Sequence, residues 1–509
     1  MSSRVAVAAG TAVAAGTALL LVRIAPDVGT KPLWIDEAIA GLIGARPLPE
    51  VLETVLWDRG GAPLHFVLAH VAFAFDASPE ALRWLSVVFA LATPVVTFDL
   101  GRRLAGPLAG SMSALVVATS SLLWVYGSVG RMYALLAFVG ALSADLFVRA
   151  LQLRTPGSAY AAAGGAWLLP AVHPYGGIVV AVEAVVALVV WRGRPLRPAL
   201  PVALIGLAAL PFLVADFRLA ERFSVGTSAE GRVASFGRAW DLLTATLGGF
   251  AGEDGLALAF FVALGLAGIA VIATREPAFV AFACLALAAP LVLLVAGRSE
   301  ETVRLATRHL MFALPLWAAL IGVGAARAAR ELVLPAQLLF VVGLAALAAF
   351  AASDRADPRF LPEGRPRNLA DPARWLEEQV QPGDVLFPYS PVFLAALPAT
   401  RHALTLPRES ATLEPALDHV DFPVDSVFVA VPRRGADVAE GEEVESFRAW
   451  LLAREQGPFA TRESVIAAAA RALEEIDAAL SGESSRLRAY LDSSKAALCG
   501  REPCPAGSG

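Results

Sequence analysis

Residues 255–274 read Gly-Leu-Ala-Leu-Ala-Phe-Phe-Val-Ala-Leu-Gly-Leu-Ala-Gly-Ile-Ala-Val-Ile-Ala-Thr, without a charged side chain. A helix of about 20 apolar residues spans the roughly 30 Å hydrocarbon layer of a bilayer. Comparable runs recur at 5–25, 82–100, 108–126, 132–151, 198–216, 278–296, 309–328 and 332–352, with shorter ones at 63–75, 160–172 and 176–191. This repetition predicts a polytopic transmembrane helical bundle of about 11–13 spans.

The composition separates the chain into two parts. Hydrophobic residues make up 57% of the 509 residues and charged residues 17%, with a mean hydropathy of +0.62, whereas soluble proteins carry about 25% charged residues. Charged residues number 45 in residues 1–352 and 42 in the much shorter 353–509. We therefore predict a mainly α membrane domain over 1–352 and a soluble α/β tail domain over 353–509. The net charge of −5 gives no reason to expect a nucleic-acid partner.

The tail carries signals for both strands and helices. The apolar runs 385–387 and 427–431 predict strands, and the Ala-rich amphipathic stretch 463–498 predicts helices. Cys499 and Cys504 lie close together near the C-terminus. A disulfide between them would fit an oxidising compartment, because such bonds persist outside the cytoplasm.

Arginine clusters predict an orientation through the positive-inside rule. The clusters lie at 102–103, 149–154, 192–197, 275 and 327–330. Placing them in the cytoplasm leaves the loop 26–62 and the tail outside, in a multi-pass protein of the cytoplasmic (plasma) membrane. Residues 63–100 must then cross the membrane an odd number of times, although they contain two apolar runs. Either the run 63–75 enters the membrane only part way, or the arginines at 102–103 break the rule.

The first outer loop contains two adjacent carboxylates. Residues 32–40 read Pro-Leu-Trp-Ile-Asp-Glu-Ala-Ile-Ala, which places Asp36 and Glu37 at the predicted start of a short amphipathic helix. One interpretation is helix capping, because acidic side chains are favourable near the positive end of a helix. The other is a functional role, because carboxylates at a membrane face are costly and are usually part of a site.

At this loop the chain resembles the GT-C fold glycosyltransferases, the superfamily that includes protein O-mannosyltransferases and lipid A aminoarabinose transferases. Members carry an Asp-Glu pair in the first outer loop, matched here at 36–37, and then a Pro-Pro-Leu-Tyr-Tyr-like start of the next helix. Residues 58–70 read Asp-Arg-Gly-Gly-Ala-Pro-Leu-His-Phe-Val-Leu-Ala-His. Within this stretch Ala62 and His65 replace the usual Pro and Tyr.

Further motifs of the family occur in the expected order, and the resemblance covers about residues 5–350. Three of them resemble the family's Arg-Met-Tyr, His-Tyr-Tyr-Gly and Arg-Tyr-Leu-Leu-Pro segments. The matching stretches are Leu-Arg-Trp-Leu-Ser at 82–86, Gly-Arg-Arg-Leu-Ala-Gly at 101–106, Gly-Arg-Met-Tyr at 130–133, His-Pro-Tyr-Gly at 173–176, and Thr-Arg-His-Leu at 307–310 with Pro315.

The resemblance implies an enzyme that transfers a hexosyl- or pentosyl-type sugar, with inversion, from a polyprenyl-phosphate carrier to a glycan, lipid or protein acceptor. Inversion requires a base for the acceptor hydroxyl, and a carboxylate suits that role at neutral pH. Asp36 is predicted to be this base, with Glu37 positioning the acceptor or supporting Asp36. The alternative for Glu37 is simple solvation of the loop. No cofactor is predicted, and a divalent metal is not indicated.

The leaving phosphate requires cations and hydrogen-bond donors. The predicted substrate and phosphate site consists of Arg131, Tyr133, His173, Tyr175, Arg308, His309, Asp58 and His65. The alternative for an Arg at a helix end is snorkelling to lipid headgroups. The alternative for a His in a helix turn is a hydrogen bond to the backbone.

The competing class of protein is a polytopic transporter or lipid flippase without transferase chemistry. Such a protein would place charged residues in mid-span and show an internal repeat between its halves. Glu183 lies within the run 176–191, but no clear repeat is seen, and most candidate charges lie at the outer ends of the runs. The sequence therefore favours the transferase.

Overall fold

The computed structural model divides the chain into two compact units. The first comprises Met1–Thr30 and Ile43–Leu361, and the second comprises Lys31–Leu42 and Pro362–Gly509. The residues that the structure describes are 3–30, 35–58, 62–76, 78–190, 214, 236–253, 255–296, 306–330, 332, 342–347, 349–350, 376, 378–387, 404–405, 417–418, 420–433, 449–479, 492, 494–496 and 498.

The chain up to residue 329 is helical wherever regular structure is described. Its helices are α1 (Ser3–Thr30), α2 (Ile35–Gly44), α3 (Leu48–Asp58), α4 (Leu64–Phe73), α5 (Pro79–Ala105), α6 (Pro107–Ala118), α7 (Ser121–Tyr126), α8 (Tyr133–Leu153), α9 (Pro156–Val172), α10 (Gly176–Val190), α11 (Phe236–Phe250), α12 (Gly255–Ala273), α13 (Pro277–Ala296), a 3₁₀ helix (Thr307–Ala313) and α14 (Leu314–Ala329).

Several of these helices are long and apolar enough to cross a membrane. In the described part of the chain there are five such helices: Ala9–Gly29, Pro79–Ala105, Tyr133–Leu153, Gly255–Ala273 and Thr307–Ala329. Shorter apolar helices accompany them. The predicted mainly α, polytopic membrane fold is confirmed.

One predicted span is broken. The apolar run 108–126 forms α6 and α7 instead of one continuous helix. Ser120 lies between them, and its Oγ accepts a hydrogen bond from the Leu123 backbone N–H at 3.4 Å. A serine at this position caps a new helix, and hydropathy alone does not reveal such a break.

One end of the first unit gathers helix ends that are distant in sequence. Ser86, near the start of α5, donates from Oγ to the Arg131 carbonyl oxygen at 3.3 Å. Tyr133, the first residue of α8, has its ring centroid 6.2 Å from that of His309 in the 3₁₀ helix. His173, which follows α9, lies 5.1 Å from His309 by the same measure. We call this the histidine end.

The opposite ends of the same helices also meet. Arg330, directly after α14, donates from Nη2 to the Ala105 carbonyl oxygen at the end of α5, at 2.8 Å. Gln152, near the end of α8, donates to Glu276 Oε1 at 3.1 Å, between α12 and α13. We call this the arginine end. The 16 residues of α14 separate the two ends by about 24 Å at 1.5 Å per residue.

Helix α4 enters the bundle only part way. Its ten residues extend about 15 Å, half of the hydrocarbon thickness. His65, in its first turn, is hydrogen-bonded to the Gly130 backbone, so α4 begins at the histidine end. Helix α5 begins there as well, because Ser86 near its start donates from Oγ to the Arg131 carbonyl oxygen at 3.3 Å. The short length of α4 agrees with the first of the two alternatives for residues 63–100, and their path through the membrane stays a prediction.

Glycines bring α12 and α14 into close contact. A Cβ atom at Gly268 would overlap the Leu320 carbonyl oxygen, and one at Gly324 would overlap the Leu264 carbonyl oxygen. Within a membrane, helices associate through this kind of close backbone approach, because lipid tails are as apolar as the side chains. The α12–α14 pair thus depends on small residues on both sides.

The second unit contains a small sheet. Its strands are β1 (Val385–Phe387), β2 (Leu404–Thr405), β3 (Val424–Arg433) and β4 (Ala449–Phe459), in the order β2-β1-β3-β4. Strand β1 is parallel to both neighbours, and β3 and β4 are antiparallel. Helix α15 (Arg462–Ala479) packs on β3 and β4, with Leu473 in a shared core with Val427. Both predicted strands are present.

Some predicted features lie outside the described residues. These are Cys499 and Cys504, most of the run 198–216, and much of the run 332–352. The Ala-rich stretch 463–498 is described as α15 and, beyond it, at 492, 494–496 and 498.

Candidate functional site

Arg308 is held by two phenols at the histidine end. Its Nε donates to the Tyr133 hydroxyl at 3.1 Å, and its guanidinium carbon lies 5.9 Å from the Tyr133 ring centroid. The Tyr126 hydroxyl also accepts a hydrogen bond from Arg308. The two tyrosine rings contact edge to face, with centroids 5.0 Å apart. The guanidinium is therefore fixed in orientation, which an exposed snorkelling Arg is not.

Two imidazoles and a third phenol stack beside this arginine. His173 and Tyr175 lie nearly parallel, with ring centroids 5.4 Å apart, and Tyr175 lies 5.6 Å from His309. His173 is only 6% exposed and His309 only 7%. Because Tyr133 also contacts His309, the site joins residues from three separate motifs of the sequence.

Backbone hydrogen bonds set the tautomer of both imidazoles. The Tyr175 backbone N–H donates to His173 Nδ1 at 3.2 Å. The Ala306 backbone N–H donates to His309 Nδ1, also at 3.2 Å. A ring nitrogen that accepts a hydrogen bond carries no proton, so the proton of each neutral ring is on Nε2. Each imidazole therefore offers one Nε2–H donor.

Local sequence explains why these turns form. Pro174 cannot continue α9, and His173 before it adopts an extended backbone with φ −155° and ψ 138°. Ala306 is likewise extended, at φ −127° and ψ 161°, and the 3₁₀ helix begins at the next residue. Each turn places a histidine where its Nδ1 can accept from a nearby backbone N–H.

The charge state of His173 follows from its surroundings. This residue lies in the turn between α9 and α10. Its burial, followed by the positive charges of Arg131 and Arg308, lowers its pKa from 6.5 to about 3. The imidazole is therefore neutral at physiological pH. Arg131 and Arg308 thus both contribute positive charge at His173.

His65 borders the site through the loop before α8. It is buried, it is hydrogen-bonded to the Gly130 backbone, and its ring contacts Phe66 edge to face. Among the described residues, no hydrogen-bond partner is found for its Nε2. The imidazole of His65 thus lies beside Gly130, the residue that precedes Arg131.

The structure places the three predicted carboxylates on α2 and α3. Asp36 and Glu37 lie in the first turn of α2, in the segment Lys31–Leu42 that belongs to the second unit. Glu37 is only 3% exposed, which argues against simple solvation of the loop. Asp58 is the last residue of α3. The roles predicted for these carboxylates remain predictions.

Sequence reasoning missed several supporting residues. Tyr126 ends an apolar run, where a phenol is easily taken for core packing. Arg83, which lies in the motif at 82–86 but was given no predicted role, is only 3% exposed and fixes the start of α5 to the end of α1. Asp27 accepts a hydrogen bond from Ser128 Oγ at 3.5 Å and lies 3.8 Å from Arg23 Nη1. In the sequence, the spacing of four residues between Arg23 and Asp27 indicates an ion pair on one face of a helix.

The described side chains at the histidine end are mostly cations and hydrogen-bond donors. In the part of the chain that the structure describes, no group of three or more His, Cys, Asp or Glu side chains is placed to hold a metal ion. His70, in the last turn of α4, donates from Nδ1 to the Gly44 carbonyl oxygen at 3.0 Å. The histidine end instead combines two guanidiniums, two imidazole N–H donors and three phenols.

The fold is similar to that of solved membrane-protein structures. ArnT from Cupriavidus metallidurans in the apo state matches with a TM-score of 0.54 at 15% identity, over 82% of this chain and 92% of ArnT. ArnT bound to undecaprenyl phosphate matches with a TM-score of 0.55 at 16% identity, over 83% and 92%. The oligosaccharyltransferase of Archaeoglobus fulgidus, in complex with Zn and sulfate, matches with a TM-score of 0.50 at 13% identity, over 82% and 67%.

These neighbours are GT-C fold glycosyltransferases, so the resemblance in fold that the motifs predict is confirmed. No protein-family model matches the chain. No curated protein matches it either.

Proposed function

We propose that this chain is a glycosyltransferase that moves a sugar from a polyprenyl-phosphate carrier to an acceptor at the outer face of the cytoplasmic membrane. The observation that carries the proposal is the cluster of fixed donors at the histidine end. It occurs in a fold shared with ArnT, of which one structure contains undecaprenyl phosphate.

The leaving group of such a reaction is a lipid phosphate that gains negative charge. Arg308, oriented by Tyr133 and Tyr126, can present its planar fork to two phosphate oxygens. Arg131 supplies a second positive charge, so two cations face a phosphate that departs as a dianion. The Nε2–H groups of His173 and His309 add donors without adding charge.

The proposed transfer breaks the bond between the anomeric carbon and the phosphate oxygen. The acceptor oxygen forms the new bond from the opposite side of the sugar, which inverts the configuration. The proton of the acceptor hydroxyl passes to a carboxylate, and the resemblance assigns this role to Asp36. Glu37 positions the acceptor or supports Asp36, and the polyprenyl phosphate leaves with the bonding electron pair.

The proposal is tested by measuring transfer and donor binding separately. Asp36→Asn keeps the shape of the side chain but removes the base, so transfer of labelled sugar from a polyprenyl-phosphate donor should fall about 10²–10⁴-fold while donor binding survives. Arg308→Ala should instead weaken donor binding by about 10- to 100-fold, because it removes charge-assisted hydrogen bonds.

Arg149→Ala is the matched control, since Arg149 is exposed on α8, the helix that begins at Tyr133. This variant should bind and transfer like the wild type. Equal loss of binding and transfer in Asp36→Asn would assign Asp36 a structural role at the start of α2. Normal donor binding by Arg308→Ala would remove the phosphate assignment.

The same measurements separate the transferase from a flippase. Glu183, the mid-span carboxylate that favours transport, is buried in α10 and accepts a hydrogen bond from Ser143 Oγ at 2.7 Å. This contact ties α10 to α8 and accounts for the residue without a transport role. A flippase would bind the lipid donor and move it across the bilayer with no sugar transfer to any acceptor.

A further inference from the structure

His65 carries a buried ring nitrogen without a hydrogen-bond partner among the described residues. The side chain is only 2% exposed, and the nitrogen concerned is Nε2. A buried polar atom that stays unpaired is costly and uncommon, because folding has removed the water that satisfied it. A molecule bound at the histidine end would complete this bond.

The other ring nitrogen of His65 determines what Nε2 can do. The ring is hydrogen-bonded to the Gly130 backbone, and this bond stabilises the protonated form of the imidazole. The ring is therefore the donor, and the Gly130 carbonyl oxygen is the acceptor. Because Nε2 makes no such bond, the donor is Nδ1–H. In the neutral ring Nε2 then carries a lone pair and can only accept.

His65 is thus the opposite of the other two imidazoles at the histidine end. His173 and His309 accept backbone N–H groups at Nδ1 and offer Nε2–H donors. A phosphate oxygen is itself an acceptor, so it cannot pair with the bare Nε2 of His65. A second proton on this ring would add a buried positive charge beside the residue that precedes Arg131, which is unfavourable. The partner of Nε2 is therefore a neutral group with a proton to donate.

Arg131 connects this acceptor to the proposed phosphate site. Its charge acts on all three of these imidazoles, and His65 lies beside the preceding residue, Gly130. Helix α4, which carries His65, also packs on α9, the helix before the His173 turn. In a polyprenyl-phosphate sugar, one oxygen atom separates the phosphorus from the sugar ring. The neutral donor groups closest to a phosphate held by Arg131 are therefore hydroxyls of the sugar.

We infer that Nε2 of His65 accepts a hydrogen bond from a hydroxyl group of the donor sugar. The inference rests on the proposed transferase function, and it names the part of the donor that this residue binds. Arg131 and Arg308 hold the phosphate, whereas His65 recognises the sugar attached to it. A carrier phosphate without a sugar gains no affinity from His65.

The test compares binding of bare and glycosylated carriers to the detergent-purified full-length chain, without an acceptor. The probes are undecaprenyl phosphate, undecaprenyl-phosphate glucose and undecaprenyl-phosphate mannose. His65→Asn has an amide N–H that can replace Nδ1–H in the Gly130 contact, but it has no atom at the position of Nε2. It should weaken binding of the preferred glycosylated carrier about three- to ten-fold, the effect of one neutral hydrogen bond. Its affinity for undecaprenyl phosphate should stay unchanged.

Two further variants separate the sugar contact from a structural role. His65→Gln can place an amide oxygen near the position of Nε2, so it should recover part of the affinity for the glycosylated carrier. His70→Asn is the matched control, because His70 lies on the same helix and also donates from Nδ1 to a backbone carbonyl oxygen. This variant should bind all three lipids like the wild type.

An equal loss of affinity for bare and glycosylated carriers in His65→Asn would give His65 a structural or phosphate-binding role and overturn the inference. Unchanged affinity for all three lipids would also overturn it, because Nε2 would then bind only water or the acceptor. Equal affinity of the wild type for all three lipids would do the same. Failure of the transferase proposal itself gives a different result, in which the wild type does not bind undecaprenyl phosphate.

Discussion

His309 shows how one residue type changes the character of an anion site. The family motif that residues 307–310 resemble carries tyrosine at this position, and a phenol can both donate and accept. In this chain the Ala306 backbone N–H occupies Nδ1 of His309 at 3.2 Å, so the ring can only donate from Nε2. His173 is held in the same state by Tyr175. The site is thereby biased towards ligands that accept hydrogen bonds.

His173 gives a prediction about stability and pH. Its pKa is about 3 in the folded protein and 6.5 ordinarily, so its protonation favours the unfolded chain. The stabilisation is fully present above pH 6.5 and is lost as the pH falls towards 3. In His173→Gln this contribution is absent, so the difference in unfolding temperature from the wild type should shrink as the pH is lowered from 7 to 4.

The measurement is thermal unfolding of both purified proteins across this pH range. Tyr160→Phe, at a half-exposed position on α9, is a control that should follow the wild type at every pH. A difference in unfolding temperature between His173→Gln and wild type that stays constant with pH would show that the imidazole is charged or exposed in the folded protein.

Individual site residues could be predicted where polarity interrupts an apolar run. Arg131, His173 and Arg308 stand out because each borders a long uncharged stretch, and the structure brings them together. Tyr126 could not be found in this way, because it ends such a stretch and looks like core. The burial of Glu37 was equally hidden, since sequence shows a carboxylate in a loop but not what covers it.

At the scale of the element, glycines decide how closely helices approach. Gly268 on α12 has no room for a Cβ atom against the Leu320 carbonyl oxygen, whereas a Cβ at Gly164 on α9 would meet nothing within 4 Å. Gly268→Ala should lower the free energy of unfolding by about 1–3 kcal/mol, the usual cost of overpacking. Gly164→Ala should be neutral or raise it by up to about 1 kcal/mol, because alanine favours the helix.

Thermal unfolding of the two variants in detergent is the measurement, with the lipid composition held constant. A stability for Gly268→Ala equal to that of Gly164→Ala would mean that α12 and α14 can separate without cost. That result would contradict the close approach that the structure shows.

Element boundaries followed hydropathy only where helices are long and continuous. The runs that became α5, α8 and α12 were located to within a few residues, because length and apolarity suffice there. The run 108–126 was predicted as one span, but Ser120 divides it. Hydropathy does not predict the depth of α4, because a run of its length is compatible with either a partial or a full crossing of the membrane.

At the scale of the whole molecule, orientation in the membrane is the prediction that remains to be tested. The positive-inside rule places the arginine end in the cytoplasm and the tail outside. In a Cys284→Ser background, a membrane-impermeant maleimide should therefore label Cys499 and Cys504 in intact cells after mild reduction. A thiol at Gly157→Cys, at the start of α9, should be labelled only after the cells are permeabilised.

Gly157 suits this purpose because it is exposed and a Cβ there meets no neighbour within 4 Å. Labelling of Gly157→Cys in intact cells, with the tail cysteines protected, would invert the proposed orientation. It would also place the histidine end, and with it the donor site, on the cytoplasmic side.

The two helices that flank the His173 turn are short, and this has a consequence for how a substrate arrives. With 17 residues, α9 extends about 26 Å, and the 15 described residues of α10 extend about 22 Å, whereas the hydrocarbon layer is about 30 Å thick. A bilayer beside them has to thin, or the turn has to lie below the surrounding headgroups. Either arrangement would indent the membrane at the proposed donor site. The proposed polyprenyl-phosphate donor would then bind beneath the headgroup plane, and the acceptor would have to reach down to it.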